Sequence, residues 1–155
     1  MRVQGVDALV HLASRVPPVE RWAEPGAWDE HVRLRVETPK LLIDAVLAAG
    51  VEVYVQPTVT SDVPVGEGPA EAEAARLAAA GGRGIILRFG YLDGPTTGVA
   101  TPDPAVLGAT LHVNDAARAL VAALSVPSGV YDVCRNGDRF SSERFQEVSG
   151  WEPLT

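Results

Sequence analysis

Asp7-Ala8-Leu9-Val10-His11-Leu12-Ala13-Ser14 is a short apolar run preceded by Gly5, and residues 7–13 read as a buried β-strand. Residues 15–27, with Pro17, Pro18 and Pro25, read as a loop. Leu42, Ala45, Val46 and Ala49 then recur at i, i+3, i+4 and i+7 and predict a helix that Gly50 ends. Pro39 is expected to kink that helix or to mark its first regular turn. Val51–Val55 reads as a second strand, residues 62–68 as a Gly/Pro loop, and Ala70, Ala74, Leu77 and Ala78 as the apolar face of a second helix. Ile85–Phe89 reads as a third strand. A Pro- and Gly-rich loop over 94–108 leads to a short extended piece at Leu111–Val113. Ala117, Leu120, Val121 and Leu124 mark a third helix, and Val130–Val133 a last strand. A C-terminal helix is expected from a cap at Ser141 or Ser142 to Gly150. Strands alternating with helices at this spacing imply right-handed crossovers and a parallel sheet covered on both faces, so the fold class is α/β.

The 155 residues, 46% of them hydrophobic, suit one globular domain with a core. Twenty acidic residues against thirteen basic ones give a net charge of -7, which repels a phosphate backbone, so nucleic acid is not expected as a partner. No apolar run reaches membrane-spanning length and no secretory h-region opens the sequence, so the expectation is a cytoplasmic protein with no membrane association. Cys134 is the one cysteine, which excludes an internal disulfide and a cysteine-based zinc cluster. No His/Asp/Glu spacing resembles a metal site. His11, in an apolar strand, reads as a packed, hydrogen-bonded histidine, and Cys134 as buried and inert. Trp22 and Trp28 read as the packing of a long loop.

Five segments, in order, resemble the extended short-chain dehydrogenase/reductases, the NAD-dependent epimerase/dehydratase family. The run from Asp7 to Ser14 resembles the strand ending in the family's His-Leu-Ala-Ala. Arg35-Val36-Glu37-Thr38-Pro39-Lys40-Leu41-Leu42 falls where the family has Asn-Val-x-Gly-Thr-x-x-Leu. Leu87-Arg88-Phe89-Gly90-Tyr91-Leu92-Asp93-Gly94-Pro95 is similar to its Leu-Arg…Tyr-Gly-Pro segment. His112-Val113-Asn114-Asp115-Ala116-Ala117-Arg118-Ala119 resembles its His-Val-x-Asp-x-Ala-x-Ala. Gly129-Val130-Tyr131-Asp132-Val133 and Gly150-Trp151-Glu152-Pro153 fit its C-terminal portion. In the family the first of these strands is the fourth of the sheet and follows a nucleotide-binding half, whereas only Met1–Val6 precede it here. The resemblance therefore implies a partial Rossmann-like doubly wound sheet lacking that half, one truncated domain over residues 1–155.

The family's chemistry meets departures. Its Gly-x-x-Gly-x-x-Gly turn lets a pyrophosphate approach a helix N-terminus, and none of the fifteen glycines falls in that pattern. Its catalytic Tyr-x-x-x-Lys pair, in which the cation lowers the phenol's pKa, is also absent. Lys40 is the one lysine, with Val36 four residues before it, and aligning Ala70-Glu71-Ala72-Glu73 after the family's lysine puts Pro69 at the lysine and Val65 at the tyrosine. The family's third catalytic residue, a Ser or Thr, corresponds to Thr58, which can donate a hydrogen bond to a carbonyl but cannot alone move a hydride or a proton. NAD(P) is the cofactor the resemblance implies, yet none is expected for this chain by itself.

Ligands of open α/β sheets bind beyond the carboxyl ends of the strands. A residual cofactor rim would comprise Ser14, Thr58, Phe89 and Tyr91. Thr60, Gly90, His112 and Asp115 would face a substrate, against the plainer reading that all are inherited loop positions. His112 is expected to orient a loop and Asp115 to cap the helix after it. The Ala8–Ala13 strand, apolar and without lysine, proline or bulge, would present an open edge. A homodimer or a complementing chain is the expected cover, and a small-molecule ligand remains open. The resulting expectation is a degenerate, non-catalytic small-molecule-binding or scaffold protein. The alternatives are a fragment or subunit of an NAD(P)-dependent epimerase, dehydratase or reductase acting on a nucleotide sugar or small carbonyl, and a small cofactor-independent isomerase or cyclase.

Overall fold

The structure, a computed structural model, describes residues 5–60, 68–97, 109–135 and 140–154. Four strands, β1 (Ala8–Val10), β2 (Val53–Val59), β3 (Arg83–Phe89) and β6 (Gly129–Val133), form a parallel sheet in the order β1-β2-β3-β6. Two short strands, β4 (Tyr91–Asp93) and β5 (Thr110–His112), pair in parallel beside it. Helices α2 (Thr38–Ala49) and α3 (Gly68–Ala79) cover one face, where Leu42, Ile43, Val46, Tyr54 and Leu77 pack together. Helices α4 (Val113–Ala123) and α5 (Glu143–Ser149) cover the other, over Val53, Val55, Ile85, Leu87, Tyr131 and Val133. The α/β class and the partial Rossmann-like parallel sheet are therefore as the sequence implied.

Close packing of α3 on the sheet rests on one glycine. A Cβ on Gly84 would stand 2.0 Å from the Ala74 carbonyl oxygen, so any side chain there would lift the helix from β3. Gly50 closes α2 with a left-handed φ of 68°, and Gly150 closes α5 in the same way.

The boundaries differ from expectation where proline acts. β1 spans Ala8–Val10 and not 7–13, while β2 runs to Val59 and not to Val55. In the parallel register Val10 faces Val55, and the His11 N–H still donates to the Val55 oxygen at 2.8 Å. The next β2 donor toward β1 would be the N–H of residue 57, and proline has none. The ladder stops there, while the β2–β3 ladder continues to Val59 and Phe89. The first helix is also broken: α1 (Asp29–Val32) passes through a π-helical turn at Arg33–Glu37 before α2 starts with Pro39 in its first turn. Pro39 cannot donate to the Arg35 carbonyl four residues back and its ring crowds that oxygen, so the turn widens. Tyr91–Asp93, between the expected third strand and the loop over 94–108, is a further short strand. Residues 62–67 and 98–108 of the expected loops, Val65 included, lie outside the described residues.

Candidate functional site

The face of β2 toward α2 carries Tyr54, Gln56 and Thr58, alternate residues standing ~6.6 Å apart along the strand. All three are buried. His11, turned inward where β1 ends, places its Nδ1 3.2 Å from the Tyr54 hydroxyl, which donates to Gln56 Oε1 at 2.5 Å. A phenol has one proton, and Gln56 receives it; the His11 Nδ1–H therefore donates to the Tyr54 oxygen, leaving Nε2 as a bare acceptor.

The π-turn supplies the other wall. It places Arg35 so that its guanidinium donates to the Pro57 carbonyl, the acceptor that β1 relinquishes on leaving the sheet. His31, one turn earlier on the same helix, is buried with its ring edge-on to Trp28. Burial first, and the positive Arg35 second, hold both His11 and His31 below the ordinary imidazole pKa; a contact with Gln56 partly offsets this for His11. Burial pushes the Tyr54 phenol well above its usual range, with Arg35 pulling the other way. The site therefore holds neutral imidazoles and a firmly protonated phenol. Among the described residues, four buried side-chain atoms lack a hydrogen-bond partner: His11 Nε2, His31 Nδ1, Gln56 Nε2 and Thr58 Oγ1. His11 and Gln56 are joined through Tyr54, Thr58 lies further along β2, and His31 lies on the helix that leads to Arg35.

The remaining expected site residues separate from it. Ser14 is exposed on the loop after β1, and Thr60 is buried where its N–H donates to the Phe89 oxygen at 2.9 Å. The Phe89 ring belongs to the core beneath α4. Gly90 is a packing glycine, since a Cβ there would meet the Thr110 backbone at 2.7 Å. Half-buried Tyr91 pairs with Thr110 in the small sheet. The capping roles of His112 and Asp115 are exchanged relative to expectation. The His112 side chain accepts from the Asn114 N–H at the start of α4, because a cap must precede the first turn. Buried Asp115, already within that turn, accepts instead from Arg118 at 2.9 Å and from the Leu154 N–H at 3.1 Å. Ser142 likewise turns inward, accepting from the Cys134 N–H and donating to the Cys134 oxygen. Buried Cys134 has its thiol pKa raised by burial. The Trp22 and Trp28 rings lie 5.6 Å apart at a tilt of 53° and donate to the Pro17 and Trp22 carbonyls, so they tie their own loop together. Among the described residues no group of three His, Cys, Asp or Glu could hold a metal ion.

Sequence reading named Thr58 as a rim residue and took His11 as a packed, hydrogen-bonded histidine, which its contact with Tyr54 bears out; it did not single out Arg35, His31, Tyr54 or Gln56. One signal was present: Val53-Tyr54-Val55-Gln56-Pro57-Thr58-Val59-Thr60 alternates apolar and polar residues past the proline.

No protein-family profile and no curated protein matches the chain. Solved structures do. UDP-glucose 4-epimerase from Thermotoga maritima, solved with UDP-glucose, superposes with a TM-score of 0.72 at 14% identity, covering 96% of this chain and 72% of that one. A UDP-galactose 4-epimerase gives 0.73 at 15% identity, covering 99% and 74%. WbmG from Bordetella bronchiseptica, solved with NAD and UDP, gives 0.66 at 15% identity, covering 96% and 67%. The chain has the fold of the nucleotide-sugar 4-epimerases. At these identities the likeness is one of fold. No helix among the described residues is long and apolar enough to cross a membrane.

Proposed function

We infer that this chain is a degenerate relative of the NAD-dependent epimerase/dehydratases that binds a small molecule, or serves as a scaffold, without the family's hydride and proton chemistry. The observation that carries this reading is the state of Tyr54 beside Thr58. Thr58 stands at the family's Ser/Thr position, but the phenol on its face is buried, engaged with His11 and Gln56, and driven toward a higher pKa. An acid–base tyrosine needs the opposite shift. The sequence offers no glycine-rich turn to seat a pyrophosphate.

Nucleotide binding is tested by titrating the chain with NADH and NADPH and following nicotinamide fluorescence. No saturable signal is expected, and saturable binding with turnover of a UDP-sugar would overturn the non-catalytic reading.

A second reading has its own support. The neighbouring folds carry length that this chain leaves unmatched. β1 also lies at the edge of its sheet, with Val10 39% and Leu12 54% exposed and Val6 and Val16 exposed beside them. An apolar edge of this kind calls for a cover. In this reading a second copy, or a complementing chain with the nucleotide-binding half, pairs with β1. Sedimentation equilibrium decides between them: a dimer supports self-pairing, and a monomer at high micromolar concentration leaves only a different chain as the cover.

A further inference from the structure

The sheet has two edges, and they are finished differently. In a parallel ladder the residues of a strand turn their N–H and C=O groups alternately toward one side and the other. The His11 N–H reaches the Val55 oxygen, so Leu9 and His11 face β2 while Ala8 and Val10 turn their backbone groups away from the sheet. At the opposite edge the Val133 oxygen accepts from the Gly90 N–H, so Tyr131 and Val133 face inward and Val130 and Asp132 outward. That edge is guarded. The Arg144 guanidinium donates to the outward Val130 oxygen at 3.4 Å while lying 5.0 Å from the centre of the Tyr131 ring, and Asp132 adds a charge. β1 is apolar throughout, as Ala8-Leu9-Val10. Ala8 and Val10 stand opposite Val53 and Val55, on the α4 side of the sheet. Of the nine large hydrophobic side chains exposed among the described residues, Val6, Val10, Leu12 and Val16 are four, all between residues 6 and 16. The charged residues of that stretch are Asp7 near one end and Arg15, which also holds Glu30 at 3.1 Å, near the other.

We propose that β1 pairs with the β1 of a second copy, antiparallel about a two-fold axis at Leu9, which joins the two four-stranded sheets into one continuous sheet. Ala8 of each copy then exchanges both backbone hydrogen bonds with Val10 of the other, so the outward donors and acceptors of one strand meet those of its twin. Leu9 meets its own copy in the close, non-hydrogen-bonded pair at the axis. Val10 covers Ala8 across the seam, and Leu12 is brought toward Val6. The antiparallel sense sets Asp7 toward the Arg15 end of the other strand and away from a second Asp7, which eases self-contact in a chain of net charge -7. A different chain would have to bring an apolar, uncharged edge of its own; a second copy has one. This rests on the reading above in which β1 is covered, and it names the cover and the register. The strand is short against the roughly 800 Å² per partner of a standard interface, so association at micromolar concentration is expected.

The test uses the full chain. Sedimentation equilibrium over roughly 1–200 µM should show reversible monomer–dimer association. Val10→Lys sets like charges against each other at the seam from an already exposed position, and should raise the dissociation constant at least about tenfold. Leu12→Lys gives the same reading should the first variant fail to fold. Leu41→Lys, on the exposed face of α2, should leave the constant unchanged. The Leu9→Cys chain should form an interchain disulfide in air, because opposed residues of a non-hydrogen-bonded pair stand about 4.5 Å apart at Cα, within disulfide reach. Native Cys134 is buried and should not compete. A monomer throughout overturns the proposal and leaves the covered edge to a different chain, so the wider reading fails separately. A dimer that Leu41→Lys dissociates and Val10→Lys does not, or a folded Leu9→Cys dimer without the cross-link, overturns it as well, because the copies then meet elsewhere.

Discussion

Two polar regions of this chain lie at the carboxyl side of the sheet and are built on opposite terms. Around β4, β5 and β6, every buried side-chain nitrogen and oxygen among the described residues has a partner. Buried Asp93 receives Arg135 at 2.9 Å, and Arg135 also donates to Thr110 Oγ1 at 3.1 Å and, through its backbone N–H, to the Thr110 oxygen at 2.7 Å. Asp115 is held by Arg118 and Leu154, and its carbonyl accepts from the Trp151 indole at 3.1 Å. Around β1 and β2, four groups equally removed from water have no partner. A region whose hydrogen bonds all close serves the fold. One that leaves donors and acceptors open carries a desolvation cost that the fold must absorb elsewhere.

The comparison breaks first under mutation of the closed region. Arg135→Ala strips the partner from a buried carboxylate, and a loss of about 3 kcal/mol is expected, toward the lower end for buried pairs because Arg135 is 40% exposed. Urea unfolding followed by tryptophan fluorescence measures it, and a midpoint unchanged from the parent chain would place this region on the same footing as the other. Asp115→Asn is expected to lose about 1.5–2 kcal/mol, since the amide oxygen keeps one acceptor but the charge opposite Arg118 is gone and the new N–H₂ faces donors. Hydrogen exchange of the Leu154 amide and the Trp151 indole N–H should rise with it, because those groups fix the C-terminal segment to α4.

The open region carries the pH dependence. His11 and His31 have folded-state pKa values lowered below 6.5, so between those values and 6.5 the unfolded chain binds more protons than the folded one. Their effect on stability is absent above about pH 6.5 and becomes destabilising as pH falls through that value. The slope levels off below the folded pKa values. Each histidine adds at most about 1.4 kcal/mol per pH unit. Urea midpoints between pH 8 and 5 give this slope, and Arg35→Met should flatten it only in part, because burial is the larger cause. An unaltered slope in a His11→Asn, His31→Asn double variant would assign the dependence to carboxylates instead.

How much of this was legible in the sequence follows from the range of each interaction. The alternation of strands and helices is local, and the parallel sheet follows from it. Helix ends at Gly50 and Gly150 are single-residue signals and stand as read. The strand read at 51–55 stops short of Pro57, and a proline ordinarily argues against a central strand, yet β2 runs through it to Val59. What the sequence does not display is that the missing N–H points toward a neighbour that has already turned away. The same holds for side-chain pairs: Arg35 meets Pro57 across 22 residues and Asp93 meets Arg135 across 42, with no local pattern announcing either. Tyr54 and Gln56 were visible as polar residues in an apolar strand. Their link to His11 depends on the β1–β2 register and needed the structure.

The smallest expected effect is the most discriminating. Thr58→Val replaces a buried hydroxyl without a partner by a methyl group of similar volume. Removing a hydroxyl that makes a hydrogen bond typically loses about 1 kcal/mol, whereas removing one that makes none relieves desolvation, so a change within about 0.5 kcal/mol, on the stabilising side, is expected. The same substitution at Thr110, whose hydroxyl accepts from Arg135, supplies the contrast and should destabilise by about 1 kcal/mol. If Thr58→Val instead destabilises as much as Thr110→Val, ordered water already answers Thr58 in the free protein. The two regions would then differ in who supplies the partner, solvent or chain.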